Sequence, residues 1–174
     1  MSTVTDTVRN GVDTEKLTIR VAAKTSLAPE RVLDAGRDFS ERRADVWSNV
    51  KVKHLEVNVK VKHLEVHERG ETFADVTEGT WVVGLFWERC RYDWSQPGLV
   101  KATVIDSSVF EPGSTWELRA TPCDGESEVE IVLHRGFRRG PKGRIANAVH
   151  HTAGKWIWGW FLRRALAAVE RQAA

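Results

Sequence analysis

Residues Phe86–Trp94, FWERCRYDW, hold the highest density of side chains able to do chemistry. On an extended chain successive side chains point to opposite faces. Phe86, Glu88, Cys90, Tyr92 and Trp94 then share one face, and Leu85, Trp87, Arg89, Arg91 and Asp93 the other. The first set is the more apolar and is assigned to the inner face. It carries one carboxyl, Glu88, and one phenol, Tyr92. A carboxyl buried there has its pKa raised and suits general acid or base work. In the alternative reading, Tyr92 and Trp94 are core and Glu88 is paired or near the rim. Arg135 continues the apolar alternation Val129, Ile131, Leu133 and ends at Phe137. It is either an anchor for an acidic or carbonyl group on a ligand or a rim residue with a buried stem and a wet head. Glu88, Tyr92 and Arg135 are therefore the catalytic candidates.

Other chemistries find no footing. His63 and His67 lie four apart on an expected strand, about 13 Å from each other, too far to share a metal. No set of His, Cys and acids has zinc spacing, so no metal site is expected. No G-x-S-x-G, P-loop or dinucleotide glycine pattern occurs, and no cofactor is implied. Cys90 and Cys123 lack any motif of nucleophilic catalysis, and two cysteines make no disulfide framework. A net charge of +2 is too small to argue for nucleic acid.

A second cluster lies near the C-terminus. In Gly154–Leu166, GKWIWGWFLRRAL, four aromatics stand beside Arg163 and Arg164, and Arg138, Arg139, Lys142 and Arg144 precede them. Aromatics beside basic residues suit a helix lying on a membrane surface. Trp156, Ile157, Trp160 and Phe161 instead form a stripe suited to core packing. Weak membrane contact would need Trp158 and the Arg138–Arg144 turn on one exposed surface.

These residues must be positioned by regular elements. Lys16–Thr25 alternates as a half-buried strand. Pro29 opens an expected helix to about Asp38, and a second short helix over Glu41–Trp47 has Ser40 as its cap. From Asn49 the pattern stays β, with strands to Glu68 and over Thr72–Thr80, Val83–Trp94, Leu99–Glu111, Thr115–Thr121 and Glu128–Phe137. Gly- and Pro-bearing turns separate them, which makes an antiparallel meander. A helix spans roughly Ile145–Arg171. The class is α+β: a sheet of about seven strands with two short helices after the first and a long helix at the end. A curved sheet wrapped around that helix leaves a cavity. Residues 1–15 read as a flexible leader and residues 16–174 as one domain. The absence of an N-terminal apolar run or an 18-residue apolar run predicts a cytoplasmic protein without a membrane span.

One feature is not explained by fold. Residues Asn49–Val57 and Asn58–Val66 both read NVKVKHLEV. A solenoid repeat is usually 20 residues or more, so this is a recent in-frame duplication of one strand. Within each copy the parity breaks, predicting a bulge near Lys53-His54 or Lys62-His63. The second copy is expected to fill the strand slot, and the surplus copy to loop out or form an exposed edge. Such an edge invites a homodimer through the duplicated strand.

The element order, together with WERCRYDWSQPG (Trp87–Gly98), VFEPGSTWELRATP (Val109–Pro122) and HRGFRRGPKGR (His134–Arg144), resembles the START-like superfamily. That superfamily includes bacterial polyketide cyclase/dehydrase-like and birch-pollen-allergen-like proteins. The resemblance implies the helix-grip fold and a cavity holding a hydrophobic small molecule, lipid or polyketide-like. It also implies, as an alternative, a cyclase or dehydratase in the same pocket; the aromatic and basic cluster near the C-terminus adds a peripheral lipid-handling module as a second alternative. The expected lining is Phe86, Cys90, Tyr92, Trp94, Trp116, Trp156 and Trp160.

Overall fold

The computed structural model describes residues 16–47, 61–81 and 85–173. The chain opens with strand β1 (Leu17–Thr25), then α1 (Pro29–Gly36) and the single turn α2 (Arg43–Val46). Six strands follow: β2 (Val61–Arg69), β3 (Phe73–Trp81), β4 (Leu85–Asp93), β5 (Leu99–Ser107), β6 (Thr115–Cys123) and β7 (Glu126–Arg135). The 33-residue helix α3 (Pro141–Ala173) closes the chain. The seven strands form one antiparallel sheet in the order β1-β7-β6-β5-β4-β3-β2. This is the expected helix-grip arrangement.

Local chemistry sets the turns. Between β6 and β7, Asp124 and Gly125 both take positive φ, 49° and 81°, the mirror-image turn that a two-residue hairpin needs. β7 then pairs with β1 from Leu17↔Arg135 to Thr25↔Ser127, so first and last strands meet. α3 lies against β1, where Gly154 permits the approach: a Cβ there would fall 2.5 Å from Ile19 Cδ1. Its buried side is Phe161, Leu162, Ala165, Leu166, Ala168 and Val169, which belong to one core cluster with Val100, Leu118, Val129, Ile131 and Leu133 of the sheet.

Several boundaries differ from expectation. α3 starts at Pro141 rather than about Ile145, because proline is favoured in a first helical turn. β5 stops at Ser107, whose hydroxyl accepts from the Val109 and Phe110 amides at 3.1 and 3.2 Å. Ser40 does not cap α2: its hydroxyl accepts from the Arg42 amide at 3.3 Å, within the turn before the helix. The pairing of β4 with β5 shifts between Arg89 and Cys90, leaving Ile105 as an extra residue. That bulge reverses parity, so Ser107 rather than Asp106 is buried on the inner face.

Residues 61–66 of the second repeat copy lie in β2, paired with β3, with a register shift between Val61 and His63 as the broken parity predicts. The first copy and the N-terminal leader lie outside the described residues.

Candidate functional site

Between the sheet, α2 and α3 lies a cavity of about 100 Å³. β4 supplies one wall through Phe86, Glu88, Cys90 and Tyr92, all on one face by alternation. Small neighbours leave room for these side chains, since Tyr92 pairs with Ala74 on one side and Ala102 on the other. Trp116 on β6, Trp47 after α2, and Trp158 and Phe161 on α3 complete the aromatic lining. The rings interlock. Trp47 meets Trp116 edge-on at 5.7 Å and lies tilted against Phe161 at 5.8 Å, and Trp158 meets Phe161 edge-on at 5.2 Å.

Four charged groups enter this apolar space: Arg43, Glu78, Glu88 and Arg135. Arg43 is buried and uses its fork on several partners at once. It is paired with Glu78 through Nε. Its Nη1 donates to the Gly36 and Asp38 carbonyls, both at 3.2 Å, and its Nη2 to the Tyr92 hydroxyl at 2.9 Å. The Tyr92 hydroxyl donates in turn to Glu78 Oε2 at 2.9 Å. Burial pushes the Tyr92 phenol well above its usual pKa, and the Glu78 charge adds to this. Tyr92 is therefore a neutral donor held in place.

Glu88 stands across the strands from Glu78 and keeps 19% of its side chain exposed. Burial raises its pKa above the ordinary carboxylate value. Arg135 opposes that shift and the Glu78 charge reinforces it. The Arg135 Nη1 lies 3.5 Å from Glu88 Oε2, and the guanidinium stacks 4.2 Å from the Phe110 ring centroid. Arg135 Nε is buried without a hydrogen-bond partner among the described residues. Arg135 is only 3% exposed, so its head is not in solvent as a rim residue's would be. Burial drives the Cys90 thiol far above its usual pKa, which disfavours the thiolate.

The sequence reading and the cavity part company on α3. Trp156 does not line the cavity; it is 72% exposed. Trp160 is only partly buried, with the Arg164 guanidinium 5.3 Å from its ring, and is not in the wall. The expected stripe of Trp156, Ile157, Trp160 and Phe161 followed the bulkiest residues. The helix is instead rotated by Gly154 and Gly159, which are buried, and by the Leu162, Ala165 and Leu166 side behind them. That rotation carries Trp158 inward to the cavity, so it does not share an exposed surface with the Arg138–Arg144 turn as weak membrane contact through it would need. Trp94 also stays out of the wall: it lies beyond the end of β4, where its indole N–H donates to the Glu71 carbonyl at 2.9 Å.

Arg43, Trp47, Glu78 and Trp158 are the residues that sequence reasoning missed. Glu78 was discoverable by parity, since it continues Ala74 and Val76 on one face. Arg43 carried no comparable signal. Among the described residues no group of three or more His, Cys, Asp and Glu side chains gathers to hold a metal. No described helix is long and apolar enough to cross a membrane.

Comparison with known proteins rests on structure. No protein-family model matches the sequence, and no curated protein matches it. Solved structures do. A protein from Thermus thermophilus superposes with a TM-score of 0.69 at 12% identity, covering 91% of this chain and 100% of that one. The Zhui aromatase/cyclase from Streptomyces gives 0.67 at 12% identity, covering 91% and 96%. A START superfamily protein from Mycobacterium smegmatis gives 0.60 at 9% identity, covering 89% and 95%. At such identities the likeness is one of fold.

Proposed function

We propose that the chain binds a small hydrophobic molecule in this cavity, with its apolar part among Trp47, Phe86, Trp116, Trp158 and Phe161 and a carbonyl or acidic group toward Arg135. The observation that carries the reading is an aromatic-walled space lined by a buried arginine, Arg135, whose Nε has no hydrogen-bond partner among the described residues. Concave, mainly apolar pockets with a few convergent polar groups are the usual form of small-molecule sites, and an unpaired buried donor favours a ligand that supplies the missing acceptor. A cavity of about 150 Å³ holds benzene, so the 100 Å³ present here admits at most one aromatic ring, and that only as the wall yields. A lipid or multi-ring polyketide would have to displace the wall. The fold is shared with an aromatase/cyclase and a START superfamily protein, which supports reading the space between sheet and helix as the binding site.

The test is a tryptophan-fluorescence titration with one-ring aromatics bearing a carbonyl, a carboxylate or neither. Saturable binding that prefers the acceptor-bearing compounds, and loses that preference in Arg135→Leu, supports the reading. No saturable binding refutes it.

One observation favours a second, enzymatic reading: Glu88 lies in the cavity with its pKa raised. A carboxyl with a raised pKa holds its proton better than an ordinary one and can donate it to a departing hydroxyl, and the carboxylate so formed can take the α-proton, so that water leaves and a C=C bond forms. Glu88→Gln should then abolish turnover of a bound β-hydroxy ketone while leaving its binding intact. Unchanged turnover excludes this role.

A further inference from the structure

The outer side of α3 combines two properties that the cavity does not use. Its first is an exposed apolar stripe. Ile145, Val149 and Trp156 are 66%, 41% and 72% exposed, which makes them three of the five large hydrophobic residues exposed in the described structure. At 100° per residue they fall, with exposed Thr152, within an arc of about 60° along roughly 17 Å of helix. The second is charge. Residues 138–169 contain seven of the chain's 26 Lys and Arg and none of its 24 Asp and Glu. The rest of the chain therefore has 19 basic against 24 acidic residues, a net −5, although the whole is +2. Lys142 lies on one flank of the stripe, Arg144 and Lys155 on the other, and Arg163 continues its line; all four are exposed.

We propose that this face of α3 docks on an anionic lipid surface, with Trp156, Ile145 and Val149 entering the interface and Lys142, Arg144, Lys155 and Arg163 meeting lipid phosphates. A helix with tryptophan and aliphatic side chains bordered by Lys and Arg binds in this way, through buried apolar area and attraction to anionic lipid together. The other occupants fit less well. A second copy seated face to face would bring two all-basic surfaces together. Nucleic acid would answer the charge but not Ile145 and Val149. An acidic protein would need a shape to grip, and this is the convex side of a single helix. The proposal is independent of what the cavity holds. It places the basic, apolar side on the bilayer and leaves the acidic remainder of the molecule away from it.

The test uses the full chain with vesicles of phosphatidylcholine alone and of phosphatidylcholine with phosphatidylglycerol, in co-sedimentation at low and high salt. The chain should bind the mixed vesicles, bind phosphatidylcholine alone at least tenfold more weakly, and lose affinity as salt screens the charges. Trp156→Ala should weaken binding by on the order of tenfold, about 1.4 kcal/mol. Lys155→Glu with Arg163→Glu should weaken it more, since each basic residue near such a surface contributes about 1 kcal/mol, roughly fivefold. Brominated lipids should quench wild-type fluorescence and leave Trp156→Ala unquenched. Both variants change exposed side chains, and circular dichroism checks that they fold. Ile105→Ala, on the exposed bulge of β5, should bind like wild type. Equal binding to both vesicles, no binding at low salt, or insensitivity to Trp156→Ala overturns the proposal. So does a concentration-dependent dimer dispersed by Trp156→Ala, or an acidic protein bound on this face by a chain that ignores vesicles.

Discussion

Glu88 and Glu78 face each other across β4 and β3 in a largely apolar space, and their two arginines treat them differently. Arg43 holds Glu78 through a direct pair and a shared tyrosine. Arg135 reaches Glu88 only at 3.5 Å, so burial prevails and the Glu88 carboxyl rises above its ordinary 4.5. The folded protein then holds this proton more tightly than the unfolded chain. That contribution to stability is full below pH 4.5 and is lost as pH rises through the raised folded value. Glu88→Gln should flatten the stability curve in that window. It should also remove an infrared band of protonated carboxyl that persists above the ordinary range in wild type; a wild-type band that vanishes at ordinary carboxylate pH contradicts this. The Arg43 network makes a second demand. Arg43→Met strands Glu78 without its counter-charge and should destabilise by about 3–5 kcal/mol. Tyr92→Phe, which removes one hydroxyl from the same network, should cost about 1–3 kcal/mol. The double variant should cost less than the sum, because both act through Glu78; additivity in urea denaturation would show that the network is not shared.

At the scale of elements, α3 and β2 carry the testable consequences. His150, on α3, packs between Phe110 and Phe137 at 5.7 and 5.2 Å and donates from Nδ1 to the Ala146 carbonyl at 2.8 Å. Burial lowers its pKa below 6.5 against that hydrogen bond, and Arg135 and His151 lower it further. The folded state thus disfavours the protonated ring. The associated stability is present above pH 6.5 and is lost as pH falls through the lowered folded value. His150→Phe should remove this acid-side loss in thermal melts, and an unchanged slope would refute it. For β2, the two copies of NVKVKHLEV are identical and adjacent, so deleting either one yields the same polypeptide, with one copy still leading into His67. That remaining copy supplies every residue that 61–66 now place beside β3. The nine-residue deletion should therefore fold, with a melting temperature and ligand affinity close to wild type. Failure to fold would make the extra copy structural. Loss of a dimer on size-exclusion chromatography would instead assign it an edge-pairing role.

At the scale of the whole molecule, sheet and helix border an aromatic-walled space, and a ligand there should stabilise the entire domain. A one-ring ligand at a hundred times its Kd contributes about 2.7 kcal/mol, or roughly 5–10 °C in Tm for a domain of this size. Ala102→Leu, which grows a side chain into the cavity, should fold and lose that shift; a shift that persists would place the ligand elsewhere. Much of this architecture is legible in the chain alone. Period-2 alternation marks the strands, Asp-Gly and Pro-Gly pairs mark the turns, and both are local properties that tertiary contacts did not override. Parity also places Phe86, Glu88, Cys90, Tyr92 and Trp116 on the inner side, and it would have placed Glu78 there. Parity fails where a bulge intervenes, as at Ile105, because an extra residue in one strand is defined only by its partner strand. The rotation of α3 is the other thing sequence left open. Its aromatics and small residues each define a plausible buried stripe, and only contact with β1, through Gly154 against Ile19, selects Trp158 for the cavity and Trp156 for the surface. Arg43 illustrates the same limit. Nothing near it in sequence announces that Glu78 and Tyr92 lie within reach, since the fold brings them from 35 and 49 residues away. Local pattern determined the elements and which strand faces turn inward. Long-range packing decided which charges meet, because that depends on distances no local pattern encodes.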